Sequence, residues 1–237
     1  MDSDNSSVDS PSVDSASVDS ASVDSASVDS ASVDSASVDS ASVDSASVDS
    51  ASVNNELASF EADPSVGRVL ITQDEIAARI AELGRTITKD YEGRSPLMVC
   101  VLKGAVLFAA DLARQVDLPL ELDFMAVSSY GSATRTSGVV RILKDLDIDI
   151  SGRDVILVED IVDSGLTLTY LRKTLMARQP SSLEVCSLLV REERDDIDEL
   201  VRYIGFRLPP DFVLGYGLDV AQKYRNLRDI RSYIESS

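Results

Sequence analysis

Residues 155–167 read VILVEDIVDSGLT. Four apolar residues run into two adjacent carboxylates, Glu159 and Asp160, and two more lead to Asp163, Ser164, Gly165, Leu166 and Thr167. Charge is costly at the end of a buried strand, so three acids there call for a chemical reason. Adjacent carboxylates can accept hydrogen bonds from two neighbouring hydroxyls, such as those of a ribose. A helix start bearing Ser164, Gly165 and Thr167 can donate backbone and hydroxyl hydrogen bonds to a phosphate. One site of this kind can hold a sugar phosphate. A second reading of the same spacing is structural: a helix-capping cluster with Asp163 or Ser164 as N-cap and the acids near the positive end of the following helix.

The stretch is neither a P-loop, GxxxxGK[ST], nor a dinucleotide fingerprint, GxGxxG. The later GYGLDV carries two glycines of that fingerprint and lacks the third. Asp145, Asp147 and Asp149 have the spacing of a DxDx phosphotransfer motif, but they follow no buried strand and read as a solvated turn. Histidine is absent from the chain, which removes Ser-His-Asp and Cys-His catalysis and HExxH zinc sites together. Acid–base chemistry falls to carboxylates, Lys, Tyr or a group of the substrate.

The elements that must position these residues can be read from periodicity. RVLIT is a short β-rich run, and Thr72-Gln73-Asp74-Glu75 has capping-box spacing. Ile76, Ile80, Leu83 and Ile87 then predict a helix over about 74–91. PLMVCVLKG suits a strand buried on both faces, 105–116 its returning helix, LELDFMAVSSY and VVRILKDL two further strands, DVILVED a strand, 166–177 a helix and LEVCSLLV a strand. Strands alternating with helices predict an α/β fold with a mostly parallel, doubly wound sheet, whose ligands gather at the carboxyl ends of the strands. The remainder, from RYIGFRLPPDFVLGYGLD onward, reads as a small cap built largely from about 200–237.

Of the 237 residues, the first 55 stand apart. From Ser7 through Ala51 the pentapeptide SVDSA, SVDSP in its first copy, runs nine times. One Val in five residues buries too little apolar surface to offset the entropy of ordering, so residues 1–55 are expected to be a disordered tail before a domain at 56–237, with its core at about 66–230. Removing the tail's eleven acids from the formal net charge of −19 leaves −8, which argues against binding along a nucleic-acid backbone. No basic-apolar leader or long apolar span appears, and Cys100 and Cys186 sit in apolar strand-like runs. The expectation is a cytoplasmic protein with reduced core thiols, no membrane segment and no nucleic-acid partner.

VILVEDIVDSGLT resembles the phosphoribosyl-pyrophosphate (PRPP) motif of the type I phosphoribosyltransferases. VLKGAVLF, SSYGSATRTSGVVRILKDLD and FVLGYGLDVAQKYRNLRDI, in this order, are similar to the hypoxanthine-guanine phosphoribosyltransferase family over about residues 66–230. The resemblance implies Mg²⁺-dependent transfer of ribose-5-phosphate from PRPP to N9 of hypoxanthine or guanine, giving IMP or GMP and pyrophosphate in purine salvage. It implies that Glu159 and Asp160 hold the ribose hydroxyls and that Asp163, Ser164, Gly165, Leu166 and Thr167 cradle the 5′-phosphate. Lys103 and Gly104 would form a pyrophosphate loop with a cis peptide, and Arg225 would reach the pyrophosphate. Ser129 and Tyr130 would lie on a mobile loop that closes over the reacting centre. Phe212 would stack on the purine, Val213 would meet the base edge through its backbone, and Asp219, with Glu159 and Asp160, would hold magnesium. Asp163 would be the general base that takes the N7 proton. The family's lysine toward the purine 6-oxo group is here Arg191, followed by Glu192 and Glu193. The resemblance also implies a homodimer or homotetramer. Two other readings stand beside this one: a non-catalytic regulator that keeps the PRPP site and binds RNA or a partner protein, and a sister transferase acting on another base.

Overall fold

Apolar runs without alternation, such as LMVCVL and VILV, suit strands covered on both faces, and the computed structural model has them side by side in the middle of a six-stranded sheet. It describes residues 63–130, 139–191, 197–209 and 211–235; the SVDSA tail, the polar loop 131–138 and the pair Glu192 and Glu193 lie outside the described residues. Along the chain come β1 (Val66–Ile71), α1 (Gln73–Asp90), β2 (Leu97–Leu102), α2 (Val106–Ala113), β3 (Glu121–Tyr130), β4 (Val139–Lys144) and β5 (Asp154–Val162). Then follow α3 (Leu166–Met176), β6 (Ser182–Arg191), α4 (Ile197–Leu200), β7 (Tyr203–Leu208), β8 (Val213–Leu214) and β9 (Ile230–Tyr233).

The large sheet has the order β4-β3-β2-β5-β6-β7. Every neighbouring pair is parallel except the antiparallel β3–β4 edge. From β2 the sheet grows outward through β3 to β4; the chain then returns to β5, beside β2, and grows the other way. The carboxyl ends of β2 and β5 therefore flank the point where strand order reverses, where open α/β sheets form a crevice.

Alternation along these two strands feeds two layers. Met98 and Cys100 of β2, with Ile156 and Val158 of β5, pack with Ile76, Ile80 and Leu83 of α1 and Phe108 and Leu112 of α2. Leu97, Val99, Val101, Val155 and Leu157 pack with Leu168, Leu171 and Leu175 of α3. The capping box forms as its spacing predicts: Thr72 Oγ1 accepts from Glu75 N, and Glu75 Oε2 accepts from Thr72 N at 2.9 Å. The second helix is shorter than 105–116. It stops at Ala113, where the chain turns so closely past α1 that a β-carbon on Gly84 would lie 2.5 Å from the Gln115 carbonyl oxygen.

The cap differs from the sequence expectation. Residues 203–208, expected within it, form the edge strand of the large sheet, because Tyr203 and Leu208 extend the buried layer over α1. The second sheet has the order β1-β9-β8 and draws one of its three strands from residues 66–71. Asp145–Asp149 is the expected turn, and Asp123 of β3, 4% exposed, holds it. Its Oδ2 accepts from Asp147 N at 2.9 Å and Ile148 N at 3.0 Å. Asp123→Ala removes the acceptor of three backbone N–H groups, those of Phe124, Asp147 and Ile148, and is expected to lower unfolding free energy by roughly 1–3 kcal/mol, read as a fall in the urea midpoint; an unchanged midpoint contradicts this role.

Candidate active site

Beyond β2 the chain passes through a non-proline cis peptide at Leu102–Lys103, and beyond β5 it enters the Asp163–Thr167 turn. Both segments line one cleft of about 400 Å³, together with Glu159, Asp160, Asp219 and Arg225. Of the residues singled out from sequence, Lys103, Gly104, Glu159, Asp160, Asp163, Ser164, Gly165, Thr167, Asp219 and Arg225 meet there. Leu166 does not line it, and its side chain is exposed.

The cleft floor is made of close backbone approaches. A β-carbon on Gly104 would fall 1.5 Å from Asp160 Oδ2, so only glycine lets the carboxylate lie against the chain there. Gly217, at φ +97°, permits a similar approach in the next layer out: a β-carbon on it would lie 2.1 Å from the Gly104 carbonyl oxygen. Gly217 thus serves close approach of this segment to the Lys103-Gly104 loop, and Gly215, at φ +96°, close approach to the Asp229 carbonyl oxygen, rather than a dinucleotide fingerprint.

The capping reading of the acids is not what forms. The N-cap of α3 is Gly165, at φ +71°, and it makes no side-chain cap hydrogen bond. Asp163 instead accepts a hydrogen bond from Arg191 Nε at 3.0 Å. The start of α3 therefore presents its backbone N–H groups to the cleft beside Ser164 and Thr167, a geometry suited to an anion.

Burial governs the acid pair. Glu159 is 6% exposed, and burial, then the neighbouring Asp160, push its carboxyl well above the ordinary range. Asp160 is also raised, chiefly by burial; its bond from Ile161 N at 2.8 Å and the nearby Arg225 oppose the shift, while Asp219 adds to it. Behind them, burial and the same two acids push the Cys100 thiol up to about 12. A cation or hydroxyl donors brought to this pair would relieve the penalty. Glu159, Asp160 and Asp219 offer the hard oxygen donors that Mg²⁺ takes. Among the described residues no three acids converge as a ready-made metal cluster.

Opposite the acids stand the cations, and here the structure adds a residue that sequence reading missed. Gln222 Oε1 accepts from Lys103 Nζ and from Arg225 Nη2, each at 3.3 Å, and Gln222 N donates to Asp219 Oδ2 at 2.7 Å. Arg225 also pairs with Asp219 at 2.6 Å and donates to the Gly217 carbonyl at 2.7 Å. Gln222 lies three residues after Asp219, a short-range spacing that signals nothing until the two loops meet.

The residues expected around a base form the rim. Phe212 is 60% exposed and meets Tyr233 edge-on, ring centroids 5.6 Å apart. Val213 is buried in β8, paired with Ser232. Arg191 Nη1 donates to the carbonyl oxygens of Pro209 at 2.7 Å and Asp211 at 2.8 Å, in addition to its bond with Asp163. The backbones of Ser129 and Tyr130 close the β3–β4 ladder opposite Val140 and Val139; the rest of the expected closing loop lies outside the described residues.

The phosphoribosyl transferase domain family matches residues 69–221. The chain is 56% identical over 165 residues to a hypoxanthine-guanine phosphoribosyltransferase of Mycobacterium tuberculosis, covering 67% of this chain and 82% of that protein. It is 52% identical over 161 residues to a hypoxanthine phosphoribosyltransferase of Salmonella typhimurium, covering 67% of this chain and 90% of that one. A solved hypoxanthine-guanine phosphoribosyltransferase of Bacillus anthracis superposes with a TM-score of 0.67 at 43% identity, over 71% of this chain and 99% of the other.

The upward shifts of Glu159 and Asp160 mean that the folded chain keeps these protons to higher pH than the unfolded chain, where the ordinary values are 4.5 and 3.8. Their contribution to stability is therefore fully present below those values and is lost as pH rises through the folded ones. In protein stripped of divalent ions, Glu159→Gln is expected to melt above the wild type at pH 8, the difference closing toward pH 4. Melting curves at the two pH values check this; a gap that widens toward acid contradicts it.

Proposed function

The chain belongs to the phosphoribosyltransferase family and, within it, to the hypoxanthine-guanine phosphoribosyltransferases, and from that premise we propose that it transfers ribose-5-phosphate from PRPP to N9 of hypoxanthine or guanine in purine salvage. One observation carries this reading: an acid pair, a helix start and two cations, supplied by segments distant in sequence, face a single cleft at the strand-order reversal. Each of these groups answers a different portion of PRPP.

Glu159 and Asp160 accept from the two ribose hydroxyls. The Asp163–Thr167 turn and the N–H groups at the start of α3 take the 5′-phosphate. Lys103 and Arg225, held by Gln222, neutralise the pyrophosphate, and the Gly104 backbone lets it come close. Phe212 stacks on the purine, Val213 meets the base edge through its backbone, and Arg191 bounds the base site. Asp219, Glu159 and Asp160 would hold Mg²⁺, which, when bound, neutralises charge on the leaving group.

The reaction forms the N9–C1′ bond and breaks the bond from C1′ to a pyrophosphate oxygen, giving IMP or GMP and pyrophosphate. Positive charge grows on the ring as the pyrophosphate leaves, so its neutralisation and the removal of the base proton decide the rate. Asp163, exposed at the mouth of the cleft, takes the N7 proton, a carboxylate role consistent with a chain that has no histidine. Ser129 and Tyr130, at the end of β3, help exclude water from the reacting centre.

We also assign the enzyme to the cytoplasm, in keeping with two buried free cysteines; no described helix is long and apolar enough to cross a membrane. A homodimer or homotetramer is proposed as the working form, supported by apolar side chains left exposed on β3 and β4, namely Leu122, Phe124 and Leu143. Sedimentation of the purified chain is expected to give the mass of two or four protomers; a monomer contradicts this assignment.

With PRPP and Mg²⁺, hypoxanthine and guanine are expected to yield IMP and GMP, and Asp163→Asn to slow turnover by about 10²- to 10⁴-fold. Chromatography of products from a panel of hypoxanthine, guanine, xanthine and adenine tests the reading. PRPP binding without conversion of any base overturns it.

A further inference from the structure

Arg191, at the end of β6, is 15% exposed, whereas the Asp163 side chain that it holds is 72% exposed. Its Nε donates to Asp163 Oδ1 at 3.0 Å, and its Nη1 donates to the carbonyl oxygens of Pro209 and Asp211. One planar group thus ties the residue after the end of β5 to the backbone that leads directly into Phe212. An exposed aspartate at the head of a turn has two side-chain torsions to lose. The bond to Oδ1 removes that freedom and leaves the second oxygen for the base.

We infer that Arg191 is a positioning residue that sets Asp163 against the purine and locks the proton acceptor in register with the aromatic platform. The inference rests on the proposed role of Asp163 as general base. Proton transfer needs the acceptor within about 2.6–3.2 Å of the proton's heavy atom, and a misplacement of about 1 Å can cost on the order of 10²-fold. The guanidinium suits the task because Nε and Nη1 are separate donors fixed in one plane, so acceptors on two sides keep a set distance and direction. An ammonium radiates all its donors from one atom on a flexible stem. A lysine keeps the charge but not the fixed span between Asp163 and the Pro209 and Asp211 carbonyls.

A double-mutant cycle between Arg191 and Asp163, run on the full chain with PRPP, Mg²⁺ and hypoxanthine, tests this. Arg191→Lys and Arg191→Gln are each expected to lower kcat by about 10- to 100-fold and to raise KM for the base a few-fold, with KM for PRPP unchanged. In the Asp163→Asn background the same two changes are expected to leave kcat within about twofold, because residues that act as one unit are not additive. A role confined to general packing, or a direct contact with the base alone, gives instead the same fold-loss of kcat in both backgrounds. That result, or wild-type kcat in Arg191→Lys, overturns the inference. If either Arg191 variant folds poorly by its urea midpoint, the other carries the cycle. Failure of the wild-type chain to form any nucleotide sinks the functional reading itself; turnover with an additive cycle sinks only the positioning role.

Discussion

Between the ends of β2 and β5 there is room for backbone and nothing more. A side-chain carbon at residue 104 would collide with the Asp160 carboxylate, and one at residue 217 would collide with the Gly104 carbonyl. Three segments separated by more than fifty residues each converge on this point because two of them lack a β-carbon. The convergence sets the rest of the cleft: it puts Lys103 in one cleft with Asp160 and brings the 215–227 segment to the Lys103-Gly104 loop, carrying Asp219, Gln222 and Arg225 with it.

Charge is distributed around that point in two opposed groups. Glu159 and Asp160 rise out of the buried face of the sheet and are held there against desolvation and mutual repulsion. Lys103 and Arg225 face them from loops, with the Gln222 amide oxygen between the two cations. An acidic chain can therefore hold a cleft suited to an anion: eleven of its acids lie in the tail, while Lys103 and Arg225 line the cleft. Steering of an anionic substrate must come from the cleft itself, where low-dielectric walls concentrate the local field.

Much of this is legible in residue types and their spacing. Unbroken apolar runs mark the strands covered on both faces, the 3.6-residue spacing of Ile76, Ile80, Leu83 and Ile87 marks α1, and the capping box marks its start. The acids at the end of VILV line one cleft with two of the loops that the motif order suggests. Illegible elements share one cause: they depend on contacts between segments. YIGFRL is short and glycine-broken, so it reads like a piece of the cap until β6 offers it a parallel ladder. RVLIT becomes a strand of the small sheet only when Ile230–Tyr233 returns beside it. Gln222 has no local signature. Asp163 could equally have capped α3, until Gly165 in a left-handed turn took that position and Arg191 took the carboxylate.

By itself the sequence determined the chemical inventory: no imidazole, three acids at one strand end, small hydroxyl residues at a helix start, glycines where chains must touch, and an α/β alternation that directs loops to one sheet edge. These are properties of residue type and period, written locally. Only the tertiary structure decided which donor meets which acceptor. Lys103 is 119 residues from Gln222, and Arg191 is 28 residues from Asp163; no periodicity spans such separations, and the partner is chosen by strand order, by close packing at glycine, and by the cost of leaving a buried charge unmatched.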